Sequence, residues 1–324
     1  MSAFTLTRLL PADAAGATLR ADVRAGLTAD PKQLPPKWFY DARGSELFEE
    51  ITRLPEYYPT RAERAILRER SDAIAEAAGA RTLVELGSGS SEKTRLLIDA
   101  LRRRGTLERY IPVDVSDSAL EQAGQALLAD YPGLTVHAVV ADFTERLDLP
   151  PGPGPRLVAF LGGTIGNLLP AERAAFLGSV RAALGPRDAL LLGTDLVKDE
   201  RTLVAAYDDA AGVTAEFNKN VLSVLRRELG ADLTPEDFDH VALWNREQEW
   251  IEMRLRARTA LTAKIPALDL AVRFAAGEEL RTEVSAKFRE AGVRTELKEA
   301  GLELTHWWTD EEGRFALSLA RPLG

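Results

Sequence analysis

With 324 residues and no cysteine, the chain can form one large domain or two modest ones and has no disulfide, thiolate nucleophile or cysteine-ligated metal to offer. Fifty carboxylates stand against 41 lysines and arginines, so no basic surface announces nucleic acid or an anionic membrane as a partner. The three histidines, His137, His240 and His306, lack HExxH-type spacing, and no run of roughly 18 apolar residues could span a bilayer, so no metal and no membrane partner is expected.

In chain order, MSAFTLTRLLPADAAG lacks a basic segment followed by a signal-length apolar core, and a cytoplasmic location is expected. The aromatic-rich stretch PPKWFYDARGSELFEEITRLPEYYPT, residues 35–60, does not share the rhythm of the chain beyond it. From residue 62 helix and strand alternate. RAERAILRERSDAIAEAAG predicts an amphipathic helix, TLVELG a buried strand, SEKTRLLIDALRRRG a helix and YIPVDV a second strand. SALEQAGQALLADYPG returns as a helix before LTVHAVVADF, and the loop PPGPGP at 150–155 precedes RLVAFLGG, the helical AERAAFLGSVRAALG and ALLLGTDL. Five short apolar strands separated by crossover-length helices predict a doubly wound α/β fold, its parallel sheet covered on both faces.

The pattern changes after Asp195. ERTLVAAYDDAAG and VTAEFNKNVLSVLRRELG read as helices, then HVALWN, EWIEMRLRARTALTAKI and LDLAVRF as strands. KFREAGVRTELKEAG, LELTHWW and RFALSLARP supply a helix and a closing antiparallel hairpin for the first sheet. Residues 62–195 with 287–324 are expected to form the α/β core, and 1–61 with 196–286 a second α+β lobe, with a cleft between them.

The turn within TLVELGSGSSEKT, residues 82–94, carries the chemistry. A P-loop, G-x-x-x-x-G-K-[ST], is matched at Gly87, Lys93 and Thr94, but the glycine before the lysine is Glu92. The third glycine of a G-x-G-x-x-G dinucleotide turn is replaced by the same residue. A carboxylate there faces the phosphates, and Glu85 adds negative charge nearby, so ATP and NAD are both disfavoured. S-adenosyl-L-methionine has the adenosine without the phosphates. Its ammonium pairs with an acidic group, its carboxylate with helix N–H groups or Lys93, and its sulfonium tolerates a negative field. Glu85, Gly87 and Gly89 resemble the E/D-x-G-x-G signature of class I methyltransferases, although a tight turn needing glycine only for its backbone reads the same way. Two further strand ends add to it. Asp114, 25 residues after Gly89, is placed to accept from both ribose hydroxyls, while Ser116 or Asp117 better suits a helix cap. Asp142 and Phe143 suit an adenine amino group and an adenine face, Phe143 being equally suited to a core.

The stretches PPKWFYDARGSELFEEITRLPEYYPTRAE, TLVELGSGSSEKT, FLGGTIGNL, LLLGTDLVKD, YDDAAGVTAEFN and TEVSAKF together resemble the histidine-specific methyltransferases of ergothioneine biosynthesis, from about residue 20 to the C-terminus. The resemblance implies that three methyl groups pass from S-adenosylmethionine to the α-nitrogen of L-histidine, giving hercynine. It further implies adenosylmethionine contacts at Gly87, Lys93, Asp114, Asp142 and Phe143. Tyr57, Asn167, Tyr207, Glu283 and Ser285 are implied as histidine contacts, with Tyr40, Met253 and Val284 in the same pocket. No residue is assigned as acid or base, no metal is called for, and a monomer is expected. A class I methyltransferase for another small amine, an NAD-dependent oxidoreductase and a non-catalytic adenosylmethionine-binding regulator are the alternatives.

Overall fold

TLVEL is buried at every position, as a strand covered on both faces must be, and it lies in the middle of an eight-stranded sheet. The computed structural model describes residues 3–10, 14–89, 91, 93–144, 147 and 149–324 and divides into two compact units. The first comprises Met1–Pro11, Pro59–Val197 and Phe288–Gly324, and the second Ala12–Tyr58 and Lys198–Lys287. Glu92, on which the sequence argument against phosphate turns, lies outside the described residues.

The sheet of the first unit contains β1 (Ala3–Arg8), β2 (Thr82–Leu86), β3 (Arg109–Asp114), β4 (Thr135–Val140), β5 (Arg156–Phe160) and β6 (Ala189–Asp195), with β12 (Leu302–Thr309) and β13 (Phe315–Pro322) at the far edge. Its order is β1-β4-β3-β2-β5-β6-β13-β12. Every pair from β1 to β6 is parallel, and β13 turns antiparallel to β6 and to β12. The fold is the expected doubly wound sheet, closed by an antiparallel hairpin. Helices α3 (Pro59–Ala78), α4 (Arg95–Arg103), α5 (Asp117–Asp130), α6 (Pro170–Ala183) and α9 (Glu290–Glu299) belong to this unit. Strand order reverses at β2, since β3 and β4 lie on one side of it and β5 and β6 on the other. Ligands of such sheets bind outside the carboxyl ends of the strands at that reversal.

Residues 3–8 belong to the first sheet and not, as expected, to the second lobe, because AFTLTR pairs in parallel along β4. Phe4, Leu6 and Leu10 pack against the buried Leu120, Ala138 and Val140. Lys287, expected in the core, falls in the second unit.

The second unit contains α1 (Ala14–Thr28), α2 (Ala42–Ile51), α7 (Glu200–Ala205) and α8 (Val213–Leu229). Its strands are β7 (Phe238–Asn245) and β8 (Trp250–Ala257), the hairpin of β9 (Leu261–Ile265) and β10 (Leu270–Phe274), and β11 (Glu279–Ala286). β11, β8 and β7 form an antiparallel sheet in that order. Asn218, fully buried on α8, ties the three strands together: it accepts from Thr282 Oγ1 at 2.6 Å, donates to the Arg254 carbonyl at 3.1 Å and meets His240 Nδ1 at 2.8 Å.

Candidate functional site

Because β2 to β5 run parallel, their carboxyl ends share one edge of the sheet, and the first group of site residues gathers there. After β2 the chain turns through Gly87 at φ +69° and Gly89 at φ +47°, a region that residues with a Cβ avoid. A Cβ on Gly87 would stand 3.4 Å from the ring of Phe143, so the turn and the end of β4 are in contact. Gly89 N donates to Asp114 Oδ2 at 3.1 Å, and Ser116 N to Asp114 Oδ1 at the same distance. Ser116, not Asp114, caps α5. Asp142 Oδ1 accepts from Thr144 N at 2.9 Å, and half-buried Phe143 lies 5.4 Å edge-on from Phe160. Asn167 is half-buried on the single 3-10 turn Thr164–Asn167 that follows β5.

Lys93 is held by a residue the sequence reading passed over. Glu63, fully buried on α3, accepts from the Lys93 ammonium with Oε2 and from Gly162 N at 2.7 Å with Oε1. A Cβ on Gly193 would come within 2.5 Å of Glu63 Oε1, so that glycine makes the space for the carboxylate.

Glu85 differs from its expected part. It is 4% exposed, and its two oxygens accept from the hydroxyls of Thr94 and Tyr110, with Ser91 Oγ 2.9 Å from the Tyr110 oxygen. Burial pushes its pKa up to about 7 against the pull of those hydroxyls and of Lys93. Thr94 stands at the N-cap of α4 but makes no capping bond, its hydroxyl being given to Glu85. Glu85 therefore anchors the turn from beneath rather than offering an open charge to a ligand.

The second group lies in the second unit. Glu283 pairs with Met253 and Ser285 with Ile251 across β11 and β8, so Glu283, Ser285 and Met253 share one face of the sheet. Val284 pairs with Glu252 on the opposite face, so its side chain is turned away from that strip. The register shifts between Arg281 and Glu283, a bulge that separates the site strip from the outer end of the strand. Tyr207 reaches Ser285 Oγ at 2.8 Å through its hydroxyl, and Lys287 Nζ donates to both. The Tyr207 carbonyl lies 2.8 Å from His240 Nε2, whose other nitrogen meets Asn218, so this histidine fixes backbone. Burial lowers its pKa, leaving the ring neutral.

Aromatic rings complete the group. Tyr57 lies edge-on to Tyr207 at 6.3 Å and to Phe48 at 6.1 Å, while Tyr40 lies edge-on to Phe48 and to Phe217, both at 5.5 Å. Tyr40 keeps 49% of its surface open. Its phenol is nevertheless held above its ordinary pKa, first by desolvation and then by the charges of Glu283 and Tyr207. An open ring flank with a crowded hydroxyl accounts for both observations. Among the described residues no cluster of His, Asp or Glu suits a metal ion, and no helix is long and apolar enough to cross a membrane.

Known sequences decide what such a pair of residue groups belongs to. A sequence profile described as the histidine-specific, S-adenosylmethionine-dependent methyltransferases matches residues 19–322. The chain belongs to this family. It is 62% identical over 316 residues to histidine N-alpha-methyltransferase of Mycolicibacterium smegmatis, covering 98% of each chain. Against the enzyme of that name from Mycobacterium tuberculosis it is 58% identical over 308 residues, 95% of this chain and 96% of the other. Ergothioneine biosynthesis protein 1 of Schizosaccharomyces pombe is 31% identical over 242 residues, 71% of this chain and 31% of its own length.

For a histidine-specific methyltransferase the two groups divide by unit: Gly87, Gly89, Lys93, Asp114, Asp142, Phe143 and Asn167 stand in the first, and Tyr40, Tyr57, Tyr207, Met253, Glu283 and Ser285 in the second. Glu63, Tyr110, Phe48, Phe217 and Lys287 were missed. Phe48 and Phe217 alone left a sequence signal, as aromatics inside stretches already singled out.

Proposed function

We propose that the protein transfers three methyl groups in succession from S-adenosyl-L-methionine to the α-nitrogen of L-histidine, forming hercynine in ergothioneine biosynthesis. The observation that carries the reading is the face of β11 on which Glu283 stands two residues from Ser285, beside Met253 and Tyr207. An imidazole offers one N–H donor and one acceptor nitrogen, and a carboxylate next to a hydroxyl meets both. Asp114 takes the ribose hydroxyls, Asp142 and Phe143 the adenine, and Lys93 the methionyl carboxylate. The amide of Asn167 bonds the amino or carboxylate end of histidine without adding charge.

The transfer is a direct displacement in which the nitrogen lone pair attacks the methyl carbon in line with the departing sulfur. The amine must first lose its proton, and the protein's work is orientation and exclusion of water. Tyr40, with its phenol held above the ordinary value, stays neutral and serves as a hydrogen-bonding group, not as a phenolate base. No side-chain acid or base is assigned.

If Glu283 and Ser285 read the ring, an amino acid lacking it forfeits the hydrogen bonds they make to it, at about 1–3 kcal/mol or roughly 5- to 150-fold in selectivity. The test is kcat/KM for histidine and phenylalanine in Glu283→Ala and Asn167→Ala. The first should narrow the preference for histidine, and the second should impair both substrates alike. A histidine preference untouched by Glu283→Ala would refute this use of β11.

A further inference from the structure

Tyr207, Ser285 and Lys287 are mutually hydrogen-bonded. The two hydroxyl oxygens lie 2.8 Å apart, and the ammonium stands 3.0 Å from the phenol and 2.7 Å from the serine. All three residues are buried, Lys287 to 4% exposure, and its ammonium lies 4.7 Å from the centre of the Tyr207 ring. An ammonium has three donors and no acceptor, so both oxygens must accept from it. Their mutual bond then has two possible directions. The phenol is the stronger acid of the two, and its lone pair is drawn into the ring, so it is the better donor and the poorer acceptor. Tyr207 therefore donates to Ser285. With two bonds accepted, Ser285 Oγ has only its own proton left to give.

We infer that Lys287 is a positioning residue that makes Ser285 an obligatory donor, so that this site selects a ligand presenting an unprotonated ring nitrogen to Ser285. The inference rests on the histidine reading above and deepens it. The bound form is the neutral imidazole, in the tautomer whose N–H is directed to Glu283. An imidazolium would bring a second N–H against a donor and a positive charge towards Lys287. Glu283, on the same strand, accepts from either form and its charge attracts the imidazolium, so the selection against the cation falls to the donor-only serine and the Lys287 ammonium. Around these groups, Tyr40 follows the turn Pro36–Phe39, Tyr57 lies against Tyr207, and His240 on β7 has both nitrogens engaged.

The test is the affinity for histidine at pH about 7.5 and about 5.5, on either side of the ordinary imidazole pKa of about 6.5. It is measured calorimetrically with S-adenosylhomocysteine bound so that no turnover occurs. The α-amine is cationic at both values and cancels from the ratio. In the unmodified protein, affinity should fall about tenfold at the lower pH, following the fraction of neutral imidazole. In Lys287→Met the freed serine can accept as well as donate, and the fall should shrink to about threefold or less. Lys287→Arg, still donor-only, should keep the tenfold fall. Tyr207→Phe, which removes the proton given to Ser285, should relax the ratio as Lys287→Met does, and it carries the test if the methionine variant does not fold. A folded Lys287→Met that keeps the full fall, or an arginine variant that loses it, overturns the role of Lys287. Absence of histidine binding at both pH values, with S-adenosylhomocysteine bound, overturns the histidine reading itself and this inference with it.

Discussion

Glu63 holds Lys93 with one oxygen and the Gly162 amide with the other, and it does so with no exposed surface. In Glu63→Gln the oxygen side can still accept from Gly162, but an amide NH2 then faces the ammonium. Removing one partner of a buried pair costs about 3–5 kcal/mol, and because Lys93 is 27% exposed a discounted loss of about 1–3 kcal/mol is expected. Urea denaturation checks it, and an unchanged midpoint would mean that the pair holds nothing. Glu85 makes a different prediction. Its folded pKa of about 7 lies above the ordinary 4.5, so the ionised form is the costly one. Its contribution to stability is complete below pH 4.5 and is lost as the pH rises through 7. Glu85→Gln should therefore gain on the unmodified protein between pH about 5 and about 8, by roughly 3 kcal/mol. Equal pH dependence of the two melting curves would count against it. The placement of Asp114 and Phe143 near strand ends was legible in the sequence because they end apolar runs, where a polar or aromatic residue stands out. Glu63 was not, because within RAERAILRER it reads as one more charge on a solvated helix face, and its partner lies 30 residues away. Lys287 was hidden likewise, since nothing local marks a lysine whose ammonium is satisfied by a hydroxyl 80 positions earlier.

At the scale of elements, β2 to β6 and the closing hairpin were legible because parallel strands buried on both faces leave continuous apolar runs. β1 was not: a half-exposed edge strand alternates too briefly to announce its sheet, and only its pairing with β4 assigns it. Helix α1 escaped notice as well, although Leu19, Val23 and Leu27 recur every fourth residue and are buried. Glu283 and Ser285, two apart on β11, fall on one face by simple alternation, but the bulge that sets Glu283 apart from Arg281 leaves no mark in composition. The attachment of β1 can be tested. Phe4 fills the space above Gly124, where an added Cβ would come within 2.2 Å of its ring. Gly124→Ala must displace that ring from Leu120, Ala138 and Val140. Overpacking of this kind costs about 1–3 kcal/mol. Faster hydrogen exchange along β1 and β4, with β5 and β6 unchanged, is the expected readout, and unaltered exchange throughout would contradict the packing described.

For the molecule as a whole, an acidic chain with net charge −9 accommodates a cationic sulfonium donor and a small zwitterionic substrate, and it steers polyanions away. The first unit supplies strand-end residues suited to the donor, and the second a strand face suited to an imidazole. The central claim, that methyl groups pass from S-adenosylmethionine to the α-nitrogen of histidine, is tested most directly by incubating the purified protein with both compounds. The products are followed by mass spectrometry and the methylated atom is located by NMR. Mono-, di- and trimethylated histidine should appear in succession, with all methyl groups on the α-nitrogen and one equivalent of S-adenosylhomocysteine released per methyl group. Methylation of a ring nitrogen, or release of S-adenosylhomocysteine at the same rate with phenylalanine in place of histidine, would contradict it.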